Sequence, residues 1–218
     1  MQNISIIGGT GELGGGLALR WAKAGLPVII GSRDAGRAQE AAGKLNETSG
    51  NELTRGMDNM AAAEAGDIVV LAVKFSHHRA TLEELKPALN GKILVDTTVP
   101  LVPPKVARVQ LPPEGSAAVI AQNILGDTCT VVSAFQNVSA ASLQYDDKAV
   151  SHVLVTGDSS AARESVIKLA NAAGYTAWHA GPLANSAASE ALTSMLIFMN
   201  KKYDSYHAGI AITGISED

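Results

Sequence analysis

The stretch SIIGGTGELGGGLALRWAKAGLPVIIGSR, residues 5–33, decides the fold. Its first apolar run stops at a turn in which Gly9, Gly11 and Gly14 have the spacing G-x-G-x-x-G. A helical pattern follows, and a second apolar run ends at residues 31–33. This order of strand, glycine turn, helix and strand predicts a dinucleotide-binding unit, because the amides of a helix N-terminus bind a pyrophosphate.

Each glycine of the spacing has its own expected role. Gly9 permits the tight turn, Gly11 allows close approach of the backbone to the pyrophosphate, and Gly14 allows the helix to pack near the first strand. We expect Thr10 and Leu13, which lie in the same turn, to contact the cofactor as well.

The end of the second predicted strand indicates which dinucleotide binds. NAD sites usually place a carboxylate there for the ribose 2′-hydroxyl, whereas this chain has Ser32 and Arg33, with Asp34 one step later. A guanidinium binds a 2′-phosphate through paired, charge-assisted hydrogen bonds, and Arg37 lies one helical turn further on. The sequence therefore predicts a preference for NADP over NAD. The alternative is that Arg33 is an ordinary surface arginine.

Composition narrows the range of functions. The chain has 218 residues, 46% of them apolar, and a net charge of −4, which gives no reason to expect nucleic-acid or membrane binding. Cys129 is the only cysteine, and the N-terminus lacks the pattern of a signal peptide, so we expect a reducing cytoplasmic location. No clustered His, Cys and carboxylate spacing predicts a metal site.

Strand and helix patterns alternate along the whole chain. They predict an α/β fold, a Rossmann-type doubly wound parallel sheet over residues 1–138 with a smaller C-terminal α/β domain over 139–218. A helix is expected over 57–66, and a long helix that is apolar in its middle is expected over 185–206. The smaller domain is expected to form the second-substrate cleft with the first and to contribute to a homodimer contact.

Three segments follow predicted strands at the carboxyl edge of the sheet, where ligands of such folds bind. The residues that we expect near the nicotinamide are Val73, Lys74, His77, Thr98, Val99, Ala134, Gln136 and Asn137. Lys74 is a candidate for a cofactor phosphate or an anionic substrate. His77 and His78 are adjacent on a predicted helix, so their rings point in different directions and do not form a chelating pair.

The ordered motifs resemble those of the NADPH:coenzyme F420 oxidoreductases over nearly the whole chain. These are GGTGELGGGLALRWAKAG, VIIGSR, LAV near residue 71, DTTVPL at 96–101, SAFQNV at 133–138 and AGPLANSAASEALTSMLIFMN at 180–200. The resemblance implies hydride transfer between NADPH and a deazaflavin, coenzyme F420. It also implies that Thr10, Ser32 and Arg33 lie near the NADP phosphates, and that 134–137 and 185–193 face the deazaflavin.

Three positions depart from the family pattern. Gln136 stands where family members have His, Ala187 where they often have Arg, and Lys74 where they have Pro. The first two bear on the hydride acceptor, because Gln136 can form hydrogen bonds but carries no charge. A flavin, a ferric chelate or another small acceptor therefore stays an alternative, as does a regulatory NADP-binding protein. No side chain is assigned a certain catalytic role, because the cofactors carry this chemistry.

Overall fold

An eight-stranded sheet forms the centre of the protein in a computed structural model that describes residues 2–144 and 151–215. The strand order is β3-β2-β1-β4-β5-β6-β7-β8. The strands are β1 (Ile4–Ile7), β2 (Val28–Ser32), β3 (Thr54–Asp58), β4 (Ile68–Leu71), β5 (Ile93–Asp96), β6 (Thr130–Ser133), β7 (Val153–Gly157) and β8 (Ala177–His179). The first six strands are parallel, so the predicted Rossmann-type doubly wound sheet is confirmed.

Within the described part of the chain, seven α-helices cover the two faces of the sheet. They are α1 (Glu12–Lys23), α2 (Ala35–Ser49), α3 (Asn59–Ala65), α4 (Phe75–Leu85), α5 (Ala117–Leu125), α6 (Ser160–Ala172) and α7 (Ser186–Lys202). Asp34, Asp58, Ser116 and Ser159 cap α2, α3, α5 and α6 with their side chains. By contrast, α1 and α4 begin without a side-chain cap.

The core consists of two apolar clusters, one on each face of the sheet. Successive residues of a strand point to opposite faces, so Ile6 packs in the cluster with α1, α2 and α6, and Ile7 in the cluster with α3, α4 and α5. Both side chains are fully buried. The central parallel strands are therefore apolar on both faces, which explains why they appear as continuous apolar runs in the sequence.

One strand was not predicted. Thr54–Asp58 forms β3 at the edge of the sheet, paired in parallel with β2, and the helix expected over 57–66 begins only at Asn59. The strand has the sequence TRGMD, with Met57 as its one apolar side chain, so the sequence contains no apolar run to mark it. The long helix expected over 185–206 spans Ser186–Lys202.

The C-terminal strands continue the same sheet. β7 lies antiparallel to β6, and β8 lies parallel to β7. On the buried face the Trp21 indole of α1 donates a hydrogen bond to the Leu169 carbonyl of α6, at 2.8 Å. The division into 1–138 and 139–218 stays a prediction, and its second part includes 145–150 and 216–218, outside the described residues.

Within residues 2–144 and 151–215, no helix is both long and apolar enough to cross a membrane.

Candidate active site

The turn after β1 is pressed against the end of β4. Gly8 has a φ of 79°, and a Cβ on it would lie 2.5 Å from the carbonyl oxygen of Ala72. The Gly9 amide donates to the carbonyl of Gly31 at 3.1 Å, which ties the turn to β2 as well. Only glycine is compatible with both the dihedral angle and the space at position 8.

Helix α1 starts close to this turn. A Cβ on Gly14 would lie 2.9 Å from the Gly8 carbonyl oxygen, so the predicted role of Gly14 in close helix packing agrees with this distance. Gly11 is the N-cap residue, and no side chain caps the helix. The first-turn amides therefore remain available to an anion at the positive end of the helix dipole.

A cavity of about 470 Å³ opens at this point, and we call it the glycine-turn cavity. It is lined by Gly8, Thr10, Gly11, Ser32, Arg33, Asp34, Arg37, Asn59, Ala72, Val73, Lys74, His77, Ala80, Thr81 and Glu84. Eight of the sequence-predicted site residues thus lie around one cavity: Thr10, Gly11, Ser32, Arg33, Arg37, Val73, Lys74 and His77. Gly9, Leu13 and Gly14 belong to the adjoining turn and helix without lining it.

Two arginines mark one end of the glycine-turn cavity. Arg33 and Arg37 are exposed, and the nearly buried Ser32 hydroxyl accepts a hydrogen bond from the Asp34 amide at 3.3 Å. The Asp34 carboxylate accepts from the Arg37 amide at 3.1 Å and so caps α2. Its carboxylate therefore has a structural task, and the two guanidinium groups make this end suited to a phosphate.

Helix α4 forms the opposite wall. Lys74 and His77 were predicted there; Thr81 and Glu84 were not. Thr81 and Glu84 follow His77 by four and seven residues, so the helical period would have identified them. Asn59, at the start of α3, is a further lining residue that sequence reasoning missed, and its buried Oδ1 has no hydrogen-bond partner.

The remaining predicted residues lie off the glycine-turn cavity, after β5 and β6. The sheet register aligns Leu71, Asp96 and Ser133, so the segments that follow these residues meet at one edge. Thr98, Ala134, Gln136 and Asn137 are buried, and Val99 is half-buried. Their contact with a cofactor stays a prediction.

Buried polar atoms without partners concentrate at this edge. They include Thr98 Oγ1, Gln136 Oε1 and Asn137 Oδ1. Native proteins pair nearly all buried polar groups, so such atoms suit a polar ligand that supplies the missing partners. Phe135, between them, has a φ of 71°, a strained conformation held by packing of its ring against Trp21.

Helix α7 approaches the same edge with a buried carboxyl group. Glu190 accepts hydrogen bonds from the amides of Ala117 at 2.7 Å and Ala118 at 3.1 Å, the first two residues of α5. Burial raises the pKa of Glu190 to about 8; the two amides oppose this shift and the negative charge of Asp96 adds to it. One turn later, the Thr193 hydroxyl donates to the Gln136 carbonyl at 2.8 Å.

The single cysteine does not line the glycine-turn cavity. Cys129 is buried, and burial raises the pKa of its thiol to about 11, so the thiol remains uncharged near neutral pH. Among the residues that the structure describes, no three His, Cys, Asp or Glu side chains are grouped in a way that would hold a metal ion.

Known proteins are similar to this chain in sequence and in fold. Residues 3–100 match the model of the family described as NADP oxidoreductase coenzyme F420-dependent. An F420-dependent NADP reductase of Methanocaldococcus jannaschii is 43% identical, covering 98% of this chain and 99% of that one; its namesake in Methanothermobacter thermautotrophicus is 38% identical, covering 100% and 97%. A solved structure of a putative F420-dependent NADP reductase from Arthrobacter sp. FB24 has the same fold, with a TM-score of 0.81, 23% identity and coverage of 97% and 100%. From this likeness over the full length we conclude that the chain belongs to the family of F420-dependent NADP reductases.

Proposed function

We propose that this protein transfers hydride between NADPH and a deazaflavin, coenzyme F420. The observation that carries the proposal is the glycine-turn cavity, which opens at the uncapped N-terminus of α1 and is lined by two arginines, Arg33 and Arg37. The relatives that cover the whole chain are named for NADP and F420, which supports both partners of the reaction.

For the bound dinucleotide, we propose that different parts of the glycine-turn cavity bind different phosphates. The first-turn amides of α1 would receive the pyrophosphate, and Ser32, Arg33 and Arg37 would receive the 2′-phosphate. Gly8 holds the turn beside this ligand position, since the absence of a side chain lets the turn pack directly against the Ala72 carbonyl at the end of β4. The bound nicotinamide supplies the hydride; the protein orients it and excludes water.

The hydride acceptor would bind at the carboxyl edge of the sheet, beyond the glycine-turn cavity. We propose that 134–137 and the first two turns of α7 form the wall facing the deazaflavin, in the cleft between 1–138 and 139–218. Gln136 contributes through its position, because its amide nitrogen already donates to the Asp96 carbonyl and to Ser133 Oγ, both at 2.8 Å. Its unpaired Oε1 is left to accept a hydrogen bond from a ligand.

Anaerobic mixing tests the reaction directly. The protein is combined with NADPH and oxidised deazaflavin, and the visible absorbance of the deazaflavin is followed together with that of NADPH. We expect the concentrations of NADPH and of oxidised deazaflavin to fall by equal molar amounts. Tight NADPH binding without loss of either absorbance would refute the deazaflavin proposal, and turnover with FMN or a ferric chelate instead would identify a different acceptor.

Two further properties are proposed for the whole protein. We propose a homodimer formed through the exposed apolar side chains of α7, among them Met195, Phe198 and Met199. A cytoplasmic location stays a prediction from the single, free cysteine.

A further inference from the structure

Asp96 joins the segments that surround the carboxyl edge of the sheet. It is the last residue of β5 and is completely buried. Its Oδ1 accepts from the Thr98 amide at 2.9 Å, and its carbonyl oxygen accepts from the Gln136 side-chain amide at 2.8 Å and from the Ala134 amide at 3.3 Å. One residue thus holds two of the three strand-end segments that we predicted near the nicotinamide, those after β5 and β6.

The second carboxylate oxygen of Asp96 reaches helix α4. Oδ2 lies 2.6 Å from Nε2 of His78, and both side chains are buried. The ring of His78 also stacks against Phe75, with an angle of 29° between the planes. Because a buried carboxylate is costly without partners, this contact fixes the first turn of α4 to β5.

His78 does not face the glycine-turn cavity. Its neighbour His77 lines that cavity, whereas His78 lines a separate cavity of about 490 Å³ between α4, α5 and the proline-rich segment 102–114. Asp96 lines neither cavity. Any effect of this pair on a bound dinucleotide must therefore pass through the segments that the pair holds.

The network extends from Asp96 to helix α7. The Gln136 side chain is bonded to Asp96, and the Gln136 carbonyl accepts from Thr193. No hydrogen bond of the pair leads to β2 or to the start of α2, where Ser32, Arg33 and Arg37 lie. In the sheet, β1 and β4 separate β2 from β5.

We propose that Asp96 and His78 are positioning residues that align the nicotinamide half of the site without contributing to the binding of the adenosine half. The inference rests on the proposed binding of NADPH. It assigns to this pair the alignment of α4, residues 97–99 and residues 134–137, on which the geometry of hydride transfer depends.

The two halves of the dinucleotide can be tested separately. 2′,5′-ADP carries the adenosine with its 2′- and 5′-phosphates but no nicotinamide, so its affinity, measured by calorimetry, reports the arginine end and the N-terminus of α1 without the nicotinamide half. We expect Asp96→Ala to leave the Kd of 2′,5′-ADP within about twofold of wild type. We expect the fluorescence of NADPH to rise on binding to wild type and not on binding to Asp96→Ala, and the single-turnover rate of hydride transfer to fall about 10- to 100-fold in this variant.

Further variants separate positioning from loss of stability. Asp96→Asn retains an oxygen for the Thr98 amide and should give an intermediate rate, as should His78→Gln. The matched control is Tyr175→Phe, which removes a buried hydrogen bond to Ser142 Oγ, 3.1 Å long, away from this edge. It should lower the melting temperature without changing the rate or the NADPH fluorescence.

The outcomes distinguish this inference from the proposed function. A parallel loss of 2′,5′-ADP affinity in the Asp96 variants would overturn the inference, and so would rates that follow the melting temperature in all variants, Tyr175→Phe included. If wild type transfers no hydride to deazaflavin while the fluorescence and 2′,5′-ADP results are as expected, the acceptor proposal fails and the positioning pair stands. If Asp96→Ala does not fold, Asp96→Asn and His78→Gln decide by the same readouts.

Discussion

At the scale of single residues, Gly8 and Arg33 show how much one position can contribute to the site. Gly8 combines a left-handed backbone with contact to the end of β4. Sequence reasoning assigned the tight turn to Gly9, because the G-x-G-x-x-G spacing begins there. The φ of 79° at Gly8 arises from how the turn sits between β2 and β4, a feature that the spacing does not contain.

We expect Gly8→Ala to destabilise the protein by about 3 kcal/mol or more, since it combines left-handed strain with a steric clash. Gly25→Ala is the matched control: its φ is 80°, but a Cβ there meets no atom within 4 Å. It should cost only about 1–2 kcal/mol, the strain alone. Urea denaturation measures both, and equal losses would show that the contact with Ala72 does not matter.

Arg33→Ala should raise the Michaelis constant for NADPH about 10-fold or more, because a charge-assisted pair with a phosphate is lost. The constant for NADH, which lacks the 2′-phosphate, should change little. Arg55→Ala, an exposed arginine outside the glycine-turn cavity, is the control. Equal effects of Arg33→Ala on both coenzymes would show that Arg33 does not bind the 2′-phosphate.

At the scale of elements, the contact between α7 and α5 was not foreseeable from local patterns. Glu190 lies in an apolar-looking helix, and its partners are the first amides of a helix more than seventy positions earlier in the chain. The contact fixes α7 against the edge that carries Gln136. Burial raises the pKa of the Glu190 carboxyl group to about 8, which makes the contact sensitive to pH.

The sign of this pH effect follows from linkage. Between the ordinary pKa of 4.5 and the folded value of about 8, the folded protein holds a proton on Glu190 that the unfolded chain has lost. Stability contributed by this group is therefore complete below pH 4.5 and is lost as the pH rises to about 8. Relative to Glu190→Gln, we expect wild type to lose on the order of 1–4 kcal/mol across this range.

Urea unfolding of both proteins at pH 5, 7 and 9 measures this difference. Ser186→Ala removes the neighbouring α7 to α5 bond, from Ser186 Oγ to Ser116 Oγ at 2.7 Å, without a titrating group. The unfolding free energy of Ser186→Ala should change with pH by the same amount as that of wild type across the three pH values. If the curve for Glu190→Gln were also parallel to wild type, Glu190 would not titrate in this range.

At the scale of the whole molecule, one continuous sheet connects the two halves of the chain, and three of the exposed apolar side chains lie together on α7. Met195 and Phe198 are 56% and 58% exposed, more than a helix of a monomer usually leaves uncovered. They lie three residues apart, on one face of the helix.

Light scattering should give twice the mass of one chain if this face joins two copies. Phe198→Glu should shift the mass toward that of a monomer, because a carboxylate would be buried in the contact without a partner. Val109→Glu, at an apolar residue that is also exposed but lies outside α7, should leave the mass unchanged. A monomeric mass for wild type would end the homodimer proposal.

The sequence by itself determined the parts that depend on neighbouring residues. The glycine turn, the alternation of strands and helices, and the pair Ser32 and Arg33 lie within short stretches, and eight predicted residues line one cavity. The edge strand β3 was missed because its pairing with β2, rather than its own pattern, defines it.

Only the tertiary structure decided the buried network behind the site. His78 and Asp96 are 18 positions apart, and Glu190 and Ala117 are 73. His78 and Asp96 meet because the parallel strands β4 and β5 end at one edge of the sheet. Glu190 meets Ala117 because α7 packs against the start of α5. Burial then makes each polar group require a partner, and which partner it finds depends on packing, which no local pattern records.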